Sequence, residues 1–327
     1  MSLVFCAAFF FLVGVGAAWL MITYQSNNTV SPRYSLRLPA GQYQYINPLL
    51  LCNVNQQKDI NEDKSLAQTV NQFIKDRITR GLVDDLSVYI INYHTGQWVG
   101  VNENDKYDPA SMLKVPLMIA YYQAAEKNPS ILEQKVSFNG DDQNIGEYFK
   151  SSNDIKPNKV YSTNDLIQSM IINSDNTAAV LLAKNIDSNS LSEIYTDLGL
   201  PVPIAGANVQ YLSAKLYAYF FRILYNATYL SRDYSQKALG LLSSPDFPQG
   251  IRAGIPTGTI ASQKFGERSV YDGNNVLQSR ELHDCGIVYK PDAPYLICIM
   301  SRSKTASFDT LAKNISDLSA LVYKNIN

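Results

Sequence analysis

Ser111 and Lys114 stand three residues apart at the head of the apolar run 115–120, which reads as a helix. Residues i and i+3 share one face of a helix, so this spacing sets an amine beside a hydroxyl. A hydroxyl becomes a strong nucleophile when a neighbouring base takes its proton. A serine at a helix N-terminus also lies among unpaired backbone N–H groups able to receive an oxyanion. Taken alone, Ser-x-x-Lys is equally a helix cap followed by a surface lysine, so the chain must supply partners. Two groups do so in sequence: Ser174-Asp175-Asn176, between two apolar helical runs, and Lys264-Phe265-Gly266, in a strand-like stretch. The plain reading of the first is another helix cap, and of the second a solvated strand lysine.

The elements that would position these groups follow from periodicity. Residues 61–80 repeat Leu66, Val70, Phe73, Ile74 and Ile78 at helical spacing and stop at Gly81. Residues 86–93 and 98–102 are β-branched and aromatic around the turn His94-Thr95-Gly96-Gln97, a hairpin. The Ser111 helix runs to about residue 126. Thr163-Asn164 is read as the cap of a helix over 165–172, and a second helix resumes at Thr177. Further helices are expected over 191–198, 213–225 and 231–242. Strands are expected over 259–268, 281–289 and 295–301, and a closing helix over 308–323. This order predicts an α+β fold: an antiparallel sheet built from both chain ends with flanking helices, and an inserted all-helical lobe over about residues 115–250.

Composition narrows the function. The 327 residues carry 28 Lys and Arg against 29 Asp and Glu, so no basic field exists to attract nucleic acid. Four scattered cysteines and two histidines, His94 and His283, offer no zinc spacing, and no metal or cofactor is expected. Cys285 and Cys298 could face each other across a hairpin, but buried free thiols are the preferred expectation. A thiol enzyme using Cys285 with His283 on the same strand face is a minor alternative, because a usable base normally comes from another element. Residues 3–21 form an uncharged apolar run of about bilayer-spanning length. It reads as a signal peptide or a membrane anchor within residues 1–25. The anchor is preferred, because a positive leading segment is missing and Val15-Gly16-Ala17 is a weak cleavage site. Residues 26–60 read as a tether, and 61–327 as the functional domain, extracytoplasmic and monomeric.

Ser111-x-x-Lys114, Ser174-Asp175-Asn176 and Lys264-Phe265-Gly266, in this order and in these settings, resemble the motifs of penicillin-recognising serine hydrolases, class A β-lactamases most closely. The resemblance spans about residues 61–325. It implies Ser111 as nucleophile and Lys114 as its base, the amine's pKa lowered by burial and by a second cation, Lys264. It implies that Ser174 passes a proton to the leaving nitrogen, and that Asn176 holds Lys114 and binds a substrate amide. The oxyanion would lie between the backbone N–H groups of Ser111 and Glu267, and a side chain at Gly266 would collide with substrate on the strand edge. The implied substrate is a β-lactam or a peptidoglycan-like amide. Two departures stand out. Phe265 replaces a hydroxyl residue that grips the substrate carboxylate in the family. The water-activating Glu that class A enzymes carry about 35 residues after Ser-Asp-Asn has no counterpart, since no glutamate occurs between Glu193 and Glu267. The expected activity is hydrolysis through an acyl-enzyme. The alternatives are a penicillin-binding-protein-like D,D-peptidase or transpeptidase with slow deacylation, and a non-catalytic wall-binding protein.

Overall fold

Helix α1 (Lys64–Thr79) starts where Asp63 accepts the Leu66 N–H, and it buries Leu66, Val70 and Ile74 at four-residue spacing. Ile78, expected on that face, is exposed, because the helix ends one residue later and Gly81, at φ +67°, turns the chain away. This helix belongs to a computed structural model that describes residues 43–47, 61–140, 148–149, 151, 153–202 and 211–327. Next come β1 (Asp85–Asn92), β2 (Trp98–Val101) and β3 (Lys106–Tyr107), a 3-10 turn (Ala110–Leu113) and α2 (Lys114–Lys127). The middle of the chain carries β4 (Lys135–Phe138), β5 (Lys159–Ser162), α3 (Thr163–Ile172), α4 (Asn176–Asn185) and α5 (Ser188–Asp197). It continues through β6 (Leu212–Ser213), α6 (Ala214–Tyr225), α7 (Arg232–Leu242) and α8 (Ile251–Gly254). Strands β7 (Ala261–Tyr271), β8 (Leu277–Val288) and β9 (Tyr295–Ser303) lead to the closing helix α9 (Phe308–Asn325).

The main sheet runs β2-β1-β9-β8-β7, antiparallel throughout, so β1 from the early chain lies beside β9 from the late chain. This is the sheet expected from both chain ends. Helix α9 buries Phe308, Leu311, Ile315, Leu318 and Val322, a stripe three to four residues apart, in one core with α1 and the strands. Its N-cap is Ser307, whose hydroxyl accepts the Thr310 N–H.

The inserted lobe departs from the all-helical expectation. It contains the antiparallel pair β4–β5, and β6 pairs with β3. These strands are two to four residues long, too short to show alternation. The cap of α3 is Ser162, not Thr163-Asn164: its hydroxyl accepts the Asp165 N–H, and the Asp165 carboxylate accepts the Ser162 N–H. Residues 43–47, in the stretch expected to be a tether, dock on residues of α6 and α7 or their ends. Tyr45 N–H donates to Gln236, Asn47 N–H to the Tyr225 carbonyl, and Ile46 is buried. Among the described residues no helix is long and apolar enough to cross a membrane, and the apolar run 3–21 lies outside them.

The free-thiol expectation is overturned, since Cys285 and Cys298 form a disulfide. They are direct partners in the β8–β9 register, and the turn between those strands brings their side chains together. The thiol-enzyme alternative falls with it, since the Cys285 sulfur is bonded and fully buried.

Asp284, on β8, is also fully buried and accepts the Ile251 N–H that opens α8. Burial pushes its carboxyl up to about 7, against that hydrogen bond and the charge of Lys264. The folded state therefore keeps this proton longer than the unfolded chain, whose ordinary value is 3.8. Its contribution to stability is full below the unfolded value and is lost as pH rises towards the folded one. Asp284→Asn copies the neutral acid. It should raise Tm by several degrees at about pH 8 and change it little at about pH 4, as thermal melts would show. Equal shifts at both pH values would mean that the buried group is already ionised.

Candidate active site

Ser111 lies in the 3-10 turn ahead of α2, one element earlier than the expected α-helical first turn. Ala110, just before it, adopts φ +49°, a left-handed conformation. Side chains at i and i+3 eclipse in a 3-10 turn, so the spacing still sets the two groups together. Lys114 Nζ donates to Ser111 Oγ at 2.9 Å. Lys114 is 5 % exposed, a buried amine at the head of α2.

The opposite wall is the elbow between α3 and α4. Asp175, fully buried, accepts hydrogen bonds from Ala178 N–H, Ile155 N–H and Ser169 Oγ at 2.8–3.0 Å. It caps α4 and pins the elbow, which leaves Ser174 at φ +57°, a strained setting for a residue with a side chain. That backbone aims both its carbonyl and its hydroxyl at the amine. Lys114 Nζ donates to the Ser174 carbonyl, to Ser174 Oγ at 3.2 Å and to Asn176 Oδ1 at 2.6 Å.

Strand β7 closes the third side. Lys264 is 1 % exposed, and its Nζ donates to Ser174 Oγ at 2.9 Å, so two amines meet one hydroxyl. Phe265 does not point into empty space where a hydroxyl residue would stand. Its ring lies 4.4 Å from Lys264 Nζ and stacks on Phe247 at 4.0 Å. Gly266 has a packing reason of its own. A Cβ there would collide with the Pro109 carbonyl and lie 3.0 Å from Met112 Cγ. The glycine lets the strand pack against the turn that carries Ser111, and no substrate is needed to explain it.

Ser111, Asn176 and Glu267 line one cleft of about 850 Å³. Lys114, Ser174 and Lys264 are not in this lining but are joined to Ser111 and Asn176 by the hydrogen bonds above, and Gly266 packs against the Ser111 turn. The cleft also has walls that sequence reasoning missed: Tyr148, Arg268, Arg280 and Phe308. The Glu267 carboxylate accepts the N–H groups of Tyr148 and Phe149 at 2.5 and 3.2 Å, and Tyr148 OH donates to Asp309. No local pattern marked Tyr148, because its place depends on partners more than a hundred residues away.

A fold with a sheet from both chain ends, a lobe between them and this cleft at their junction can be compared with known proteins. The pattern of the beta-lactamase enzyme family matches residues 66–326, and the chain belongs to that family of hydrolases. Among solved structures, PBP-A is 19% identical with a TM-score of 0.66, covering 80% of this chain and 96% of that one. The TLA-3 extended-spectrum β-lactamase is 17% identical with a TM-score of 0.67, covering 80% and 98%. A point mutant of PBP-A, 18% identical with a TM-score of 0.67 and covering 80% and 96%, was solved as an acyl-enzyme complex with penicillin G. At such identities the likeness is one of fold. No curated protein matches the chain in sequence.

Gly266→Ala tests the close approach. Its methyl must push β7 away from the Ser111 turn, at a cost of about 1–3 kcal/mol in stability. Thermal melts would check this, and an unchanged Tm would mean that the strand and the turn are not in close contact.

Proposed function

We propose that the protein is an extracytoplasmic serine hydrolase that forms an acyl-enzyme at Ser111 with a β-lactam or a related cell-wall amide. The observation that carries the reading is the set of bonds on Lys114 Nζ, which joins Ser111 Oγ to Ser174 and Asn176. In this mechanism Lys114 acts in its unprotonated form: the 2.9 Å hydrogen bond to Ser111 reverses, the amine lone pair takes the hydroxyl proton as Ser111 Oγ attacks the carbonyl carbon, and the backbone N–H groups of Ser111 and Glu267 receive the oxyanion. Ser174 Oγ then hands a proton to the departing nitrogen, resupplied from the amines that hydrogen-bond it. The acyl-enzyme reported for the PBP-A mutant is the precedent in this fold for penicillin as an acyl donor.

A second reading is favoured by one observation. With no glutamate between Glu193 and Glu267, the water that must release the acyl group lacks the expected base. That favours a penicillin-binding-protein-like D,D-peptidase or transpeptidase, in which penicillin is a long-lived inhibitor. For localisation, the apolar run 3–21 serves in this reading as a membrane anchor, and the Cys285–Cys298 disulfide fits an oxidising compartment. The domain is taken to act as a monomer, without nucleic acid.

A fluorescent penicillin separates the readings. Covalent labelling that decays within seconds supports a β-lactamase, and labelling that persists for hours supports the peptidase. Ser111→Ala should abolish the label, and Lys114→Ala should slow its appearance by about a thousandfold while the protein stays folded. No label on the folded wild-type protein from any acylating probe would leave the wall-binding alternative.

A further inference from the structure

Beneath the Ser111 turn, outside the cleft lining, lies a buried polar cluster that the mechanism above does not use. Glu281 and His283 stand two residues apart on β8 and so face the same way. Glu281 Oε2 accepts the Asp108 N–H at 3.0 Å, and His283 Nε2 meets the Asp108 carbonyl at 2.9 Å. One residue is thus held at both ends of its backbone. On the other side of the imidazole, Nδ1 accepts the Ser301 N–H at 3.3 Å, so the ring proton sits on Nε2 and is donated to Asp108.

The register explains the site. Gly266 pairs with His283 and Arg268 with Glu281. The first pair combines the missing side chain that admits the Pro109 carbonyl with the imidazole that holds Asp108. The second sets Arg268, ion-paired to the Asp108 carboxylate, beside Glu281, which also faces Arg302 at 3.6 Å. Asp108, Glu281 and His283 are all 4 % exposed or less. Burying such groups is costly, and apolar residues would fill the same space with less penalty. What the cluster adds is geometry. From Asp108 the chain runs through Pro109 and the left-handed Ala110 to Ser111, and Asp108 Oδ1 accepts the Ala110 N–H. A strained turn persists only where its surroundings over-determine it.

We infer that Glu281 and His283 are positioning residues: by gripping the Asp108 backbone from both sides they hold the turn that presents Ser111 to Lys114. The inference rests on the reading of Ser111 as nucleophile. Its test measures the limiting acylation rate and the apparent Kd with a fluorescent penicillin, together with hydrogen exchange at the Ala110 and Met112 amides. Glu281→Ala and His283→Ala should lower the limiting rate by about 10–100-fold, leave Kd within about threefold, and speed exchange at those amides. Glu281→Gln keeps an oxygen for the Asp108 N–H and should recover the rate to within about threefold. Should the alanine variants fail to fold, Glu281→Gln and His283→Gln carry the test: each must fold, and exchange at Met112 must track the rate. Folded variants with wild-type rates and wild-type exchange would overturn the inference, as would lost stability with an unchanged limiting rate. If the wild-type protein takes no label, the nucleophile assignment falls instead, and the exchange measurement alone decides whether the two residues hold the turn.

Discussion

One buried amine ties the lobes of this protein together. Lys114 Nζ bonds the hydroxyl beside it on its own turn and three oxygens of the α3–α4 elbow. A buried ammonium or amine without partners would be strongly destabilising, so the oxygens must be delivered to it. Much of the surrounding structure serves that delivery. Asp175 gives up its whole carboxylate to pin the elbow, Ser174 accepts a left-handed backbone so that its carbonyl and hydroxyl point the same way, and Lys264 approaches the same hydroxyl from the sheet. Each of these is a local cost that makes sense only in relation to the amine.

The sheet makes the second half of the arrangement. Because β1 pairs with β9, the two ends of the chain share one rigid platform, and β7 forms its edge at the cleft. Gly266 allows that edge to touch the Ser111 turn directly, while Phe265 stacks on Phe247 and lays its face against Lys264. The Phe265 ring thus keeps the lysine packed and oriented. Among the residues that line the cleft, Arg268 and Arg280 are the cations.

Much of this was legible in the chain. Helices with a strong apolar stripe, such as α1 and α9, and the hairpin β1–β2 follow from periodicity and turn residues. The three motifs announced themselves because residue types and order suffice to recognise them. What escaped was what distance along the chain conceals. The Cys285–Cys298 bond depends on strand register, and the role of Gly266 depends on the carbonyl of Pro109, far earlier in the chain. The grip of Glu281 and His283 on Asp108 joins residues about 175 apart, with no pattern in either segment to connect them. Short strands such as β3 and β6 form only because the tertiary fold brings them side by side.

In the proposed acyl-enzyme, Ser111 and no other hydroxyl of the cleft carries the acyl group. This assignment is tested most directly by exposing the folded protein to penicillin, digesting it, and locating the adduct by tandem mass spectrometry. A single acyl group is expected on the peptide that contains Ser111, at the serine itself. An adduct on Ser174 or elsewhere, or an unmodified Ser111 peptide in protein that has otherwise reacted, would contradict it.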